Sequence, residues 1–314
     1  MCIGEVSSPI ACLLEPLAAS PFLLAPERRD ELLAIVERED NPIEIVFDDE
    51  NVGTLLSVLY KSDIEDRHAN EIWFGVALAE RLWAYSYFYT VLLRRLEGHQ
   101  PGDQLDLAAD AELAQARDLL RWAHDGQTRG ASVPWPDHLP KPEANPSSPQ
   151  LVLATEAFLC IGGWVLLHEL GHVANGHGAR RPHTNDDYEA MEFEADDWAS
   201  SWMLSRWSEY SENKAVLTKR SLGAAFALAI IASLEAYNRT YGGFKHPDPP
   251  ERLLRFLGSF VPEGDEESPN ECTAAWYCAM VLMQLHLENA GKTIEKGPFE
   301  TYRKYLLAAA KALG

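Results

Sequence analysis

Residues 151–172 read LVLATEAFLCIGGWVLLHELGH, an apolar run that ends in two histidines four positions apart. No other stretch constrains the fold as much. An apolar segment of this length has to be buried, and Leu151 to Leu167 carries Glu156 and runs into His168 and Glu169, so it reads as a core helix and not as a bilayer span. On a helix, positions i and i+4 share one face. His168 and His172 can therefore present ring nitrogens to one cation, held in place by the buried residues ahead of them. Glu169 follows the first histidine and can reach a metal-bound water as a general base.

A catalytic zinc keeps three protein ligands and one open position. The extended HExxHxxGxxH pattern needs Gly at 175 and His at 178; the chain has Asn175 and Gly178, with His177 one place early. His177 is expected at the helix end, where a cation is favoured, with Gly176 and Gly178 stopping the helix. The third ligand is sought in the run EFEADDWA at 192–199. Glu192 and Asp196 stand i, i+4 on one helical face: Glu192 as the ligand, Asp196 accepting a hydrogen bond from a ligand histidine's other nitrogen. Glu194 points elsewhere in that register, becomes the ligand if the register shifts, and Glu189 is the weaker candidate. His68, His99, His124, His138, His183 and His286 lack ligand spacing.

HELGHVANGH followed by EFEADDWA resembles the HExxH…ExxAD pattern of CAAX prenyl endopeptidase and HtpX-like gluzincins, which carry a later His-Pro…Glu-Arg-Leu motif; here that stretch is HPDPPERL at 246–253. The resemblance implies that His246 lies near the zinc and positions substrate or steadies the tetrahedral intermediate. Arg252 pairs with an acidic residue at the site or caps the local surface. Over most of its length, LWAYSYF at 82–88 included, the chain is similar to the Lit-type phage-exclusion zinc peptidase family. That resemblance implies cytoplasmic proteolysis in abortive infection, elongation factor Tu as the protein substrate, and an activator peptide or protein. The spacing from His172 to Glu192 also suits ImmA-type peptidases that cut repressors. Two other readings stay open: a non-catalytic zinc-stabilised interaction module, which has no use for Glu169, and a zinc hydrolase acting on an amide other than peptide.

Composition narrows the setting. A formal charge of −21 disfavours nucleic-acid or membrane-surface binding. Five cysteines without a CxxC pair fit a reducing cytoplasm, and the apolar N-terminus lacks a basic lead-in and is interrupted by Glu5 and Glu15, unlike a signal peptide. The expected fold is mainly α: a helical zincin (gluzincin-like) core with one small β-sheet near residues 43–60 in the N-terminal half. Helices are expected at 26–37, 71–96, 108–124, 151–177, 187–208, 214–240, 248–260, 272–290 and 298–312, with a strand at 42–48. The organisation expected is a helical region over 1–125, a Pro-rich loop or linker over 126–149, and a helical metallopeptidase region over 150–314. Gly162-Gly163 predicts close packing within the core helix, and the aromatics of 83–89 are expected to be core.

Overall fold

The computed structural model describes residues 8–49, 56–60, 69–96, 110–129, 134–180, 182–204, 214–238, 247, 249–262, 273–289, 292–294 and 302–313. The chain divides into two compact units, Met1–Leu166 and Leu167–Gly314.

The first unit opens with α1 (Ala11–Leu24), a 3-10 turn (Pro26–Arg28) and α2 (Arg29–Val36). Strands β1 (Ile43–Asp48), β2 (Leu56–Leu59) and β3 (Asn70–Gly75) form a mixed sheet in the order β1-β3-β2. β1 runs parallel to β3, with Ile45 opposite Ile72, and β2 antiparallel, with Leu56 opposite Phe74. Helices α3 (Val76–Leu96) and α4 (Ala111–Arg129) follow. The mainly α expectation and the small N-terminal sheet are both met.

The expected boundaries need correcting at α4, which runs on to Arg129 into the span expected as a loop from 126, and at the start of α3. The helix anticipated from Glu71 begins at Val76, and residues 70–75 are the central strand of the sheet. Ile72 and Phe74 are fully buried and alternate with Trp73, which is half-buried. So short an apolar run fits periods of 2 and 3.6 equally well, and pairing with two neighbours selects the strand. From Val76 onward the helical period holds, and Trp83, Tyr85, Tyr87, Phe88 and Tyr89 are all buried as core.

α4 is capped by Asp110, whose carboxylate accepts from the backbone N–H groups of Glu112 and Leu113. Between Pro134 and Ser148 the chain carries no helix or strand, yet it is seated firmly. Trp135 is buried, its ring 4.5 Å from that of Trp122 and 5.5 Å from that of Trp83, and its indole N–H donates to the Pro140 carbonyl.

Pro149 occupies the first position of α5 (Pro149–Ala174), where its missing N–H costs nothing. By length and composition α5 could cross a membrane, and 61% of its most apolar window is buried inside the protein, as in a core helix. Gln150 ties its start to α3, accepting from Arg94 at 2.6 Å and donating to Thr90 at 2.8 Å. Gly162 and Gly163 lie against α1: a Cβ at either would collide with Leu17 or Leu24, and one at Gly163 would also stand 2.9 Å from Ser20 Oγ.

The second unit takes the last turns of α5, then α6 (His177–Arg180), α7 (Asn185–Leu204), α8 (Lys214–Asn238), α9 (Pro249–Phe260), α10 (Thr273–Asn289) and α11 (Tyr302–Leu313). α7 packs on α8 and α9, α8 also on α9 and α10, and α10 on α11. α7 begins with a capping box: Thr184 Oγ1 accepts from Asp187 N–H, and the Asp187 carboxylate accepts from Thr184 N–H. At its other end, buried Arg220 donates to the Met203 carbonyl. α9 buries Arg252, Leu253, Phe256 and Leu257 and turns Glu251 and Arg255 outward.

The α1–α5 contact is testable. Gly163→Val forces branched carbon into the space of Leu24 and Ser20 and is expected to cost about 1–3 kcal/mol, read as a lower urea midpoint. An unchanged midpoint would contradict the packing.

Candidate metal centre and active site

α5 and α7 approach unusually closely where the candidate residues lie. A Cβ on Gly171 would stand 3.2 Å from both Cα and the carbonyl oxygen of Ala195, and 3.3 Å from Trp198 Cβ. Two of those neighbours are backbone atoms that cannot rotate away, so any larger residue here would have to push the two helices apart by a few tenths of an ångström. The close approach sets the carboxylates of α7 over the histidines of α5.

The Nε2 atoms of His168 and His172 are 3.1 Å apart. One Glu192 oxygen lies 3.4 Å from His168 Nε2 and the other 3.4 Å from His172 Nε2. These three side chains form a group that could hold a metal ion. A tetrahedral ion with bonds of about 2.0–2.1 Å separates its donors by about 3.3 Å, so the spacing found here fits. Glu169 is buried beside the group, with Oε1 4.0 Å from His168 Nε2. Of the three carboxylates weighed from the sequence, Glu192 alone stands in the group. Glu194 faces away, and Glu189 lies outside it.

The opposite nitrogen of His168 is also engaged. Its Nδ1 lies 2.9 Å from Asp196 Oδ1. Arg252 grips the same carboxylate with two hydrogen bonds of 2.7 Å, and its guanidinium lies 3.9 Å from Glu192. Asp196 and Arg252 are both buried. Arg252 thus pairs with an acid at the site and does not cap the surface. His246, from the same late motif, falls outside the described residues.

Electrostatics give the group its character. Burial opposes protonation of His168, but the carboxylates of Asp196 and Glu192 outweigh it and raise the pKa to about 10. Burial and the neighbouring His168 push His172 down to about 3. Burial would raise Asp196, yet the Arg252 guanidinium and His168 hold it below the usual carboxylate range. The cluster attracts positive charge but resists two protons on adjacent imidazoles. Among the described residues of the cluster, Glu169, Glu192 and Asp196 set three buried carboxylates against one buried guanidinium, that of Arg252.

Sequence reasoning missed His177. Gly176 takes φ +67°, a left-handed turn open to glycine, directly after α5. The turn folds His177 back into the protein, 1% exposed, with its Nδ1 2.7 Å from His172 Nδ1. His177 Nε2 lies 3.1 Å from Glu194, which also binds Arg180 through both guanidinium nitrogens. Burial lowers the His177 pKa, while Arg180 above all pulls Glu194 down to about 2. The clue in the sequence was an alternation: Glu192 and Glu194 lie two apart and serve different imidazoles.

A histidine pair one helical turn apart, one buried and one half-buried, closed by a carboxylate and flanked by a glutamate, has the layout of a metal-assisted hydrolase. The Peptidase U49 family model matches residues 67–279, and the chain belongs to that family, a family of peptidases. A cell death peptidase of Escherichia coli strain K12 is 33% identical over 265 residues, covering 83% of this chain and 84% of that protein. No solved structure matches.

Removing Arg252 tests the charge arrangement. Arg252→Ala leaves Asp196 buried without its guanidinium and is expected to cost about 3–5 kcal/mol in urea or thermal unfolding. A loss under about 1 kcal/mol, the range of an exposed pair, would show that the couple is not buried as described.

Proposed function

We propose that the chain is a zinc-dependent endopeptidase of the gluzincin type that cleaves a protein substrate. The carrying observation is the convergence of His168 Nε2, His172 Nε2 and Glu192 in one acid-rich site, with Glu169 alongside. Zn²⁺ bound there by these three residues would supply Lewis acidity and lower the pKa of water toward neutrality. Glu169 Oε1 takes the proton of the attacking water and returns it to the leaving amine. Asp196 holds the proton on His168 Nδ1, so that the Nε2 lone pair faces inward, and Arg252 keeps Asp196 ionised. His246 is the residue that the motif resemblance sets beside the substrate. A purely structural zinc module is less well supported, because a buried glutamate next to the ligand nitrogens has no task in it.

For the biological role we infer phage exclusion by abortive infection. The supports are the sequence resemblance to the Lit-type family and the name of the E. coli relative, a cell death peptidase. Elongation factor Tu is the substrate that resemblance implies, and a protease of this kind needs an activating peptide or protein. Cytoplasmic location follows from the same reading.

Glu169→Gln removes the base while preserving size and the ligand set. Cleavage of elongation factor Tu, followed by gel and mass spectrometry, is expected to fall on the order of 10²–10⁴-fold, while metal analysis still finds one zinc per chain. Chelation should abolish cleavage and added zinc restore it. A wild-type protein that takes up no zinc, or a variant that cleaves at the full rate, would overturn the mechanism. Cleavage of other proteins but not of elongation factor Tu would overturn the substrate alone.

A further inference from the structure

The two candidate ligand histidines are supported differently. His168 Nδ1 meets the Asp196 carboxylate directly, and Arg252 holds that carboxylate. His172 Nδ1 meets another imidazole, His177, at 2.7 Å. That distance is a hydrogen bond. It engages the ring nitrogen of His172 that is not turned to His168 and Glu192, and His177 stands outside the group that could hold a metal.

The direction of each hydrogen bond is forced from the outer end. Glu194, gripped by Arg180, is a carboxylate and only accepts. His177 Nε2 must therefore carry the hydrogen it shares with Glu194. A neutral His177 then has a bare Nδ1, which accepts from His172 Nδ1–H. His172 in turn is left with a bare Nε2, the atom 3.1 Å from His168 Nε2 and 3.4 Å from Glu192.

We propose that His177, anchored by Glu194 and Arg180, is a positioning residue that fixes the tautomer and ring orientation of His172 for metal binding. The inference rests on the zinc reading above. It gives the second ligand the counterpart of the Asp196–Arg252 couple, reached through one interposed imidazole. Gly176 makes this possible, since its left-handed turn returns the chain against its own helix.

The test measures zinc affinity of purified full-length protein by competition with a chromophoric chelator, alongside thermal melting of the metal-free protein. His177→Leu is expected to bind zinc about 10–100-fold more weakly, with metal-free helicity unchanged. His177→Asn, which keeps an acceptor close to the Nδ1 position, is expected to recover most of that loss. Wild-type affinity in His177→Leu overturns the proposal. So does equal weakness in the Leu and Asn variants with both melting lower, since His177 would then serve packing alone. Should His177→Leu not fold, Glu194→Ala decides, since it removes the acceptor from a half-exposed side chain and spares the core: weaker zinc binding upholds the relay and unchanged binding overturns it. Absence of zinc from the wild-type protein would instead overturn the zinc reading, and the relay with it.

Discussion

Burying a carboxylate away from water costs several kcal/mol unless positive charge accompanies it. Here Glu169, Glu192 and Asp196 are buried together, and Arg252 is the one buried guanidinium among them. Arg252 makes both strong hydrogen bonds to Asp196 and only grazes Glu192, so one acid is neutralised locally and two are left. The remaining negative potential falls on the paired imidazole nitrogens. Two adjacent imidazoles at this range resist carrying a proton each, and burial together with His168 holds His172 well below the ordinary histidine range.

The packing serves that balance. Gly171 lets α5 and α7 meet at the distance of backbone against backbone, and Ala195 faces it. Without this contact the side chains of Glu192 and Asp196 would stand too far from the histidines to share one small volume. The α7 capping box sets where the helix begins, and with it which residues face α5. Arg220 closes the opposite end of the same helix. α9 then delivers Arg252 from more than fifty residues away. The site is thus assembled from three helices, each held by its own local chemistry.

Membership of a peptidase family agrees with this construction and narrows the chemistry to peptide hydrolysis. The part of the site that a short pattern search recognises is His168, Glu169 and His172. Behind His168 stand Asp196 and then Arg252, and behind His172 stand His177, then Glu194 and Arg180.

What was legible in the sequence was local. A helix spaces His168 from His172, and Glu192 from Asp196, by fixed geometry, so each pair could be assigned to one face without knowing the fold. The long apolar run had to become a core helix because no other arrangement hides it, and Gly162-Gly163 could be read as a contact because bare backbone in such a run invites one. Residues 71–75 hold too little periodicity to separate a strand from a helix, and partners on both edges decide it. Nothing in the neighbours of His177 reveals that a single left-handed glycine turns it inward. The sequence by itself determined which side chains could share a helical face. Only the tertiary structure decided which faces meet, because interhelical distance depends on contacts between residues far apart in the chain.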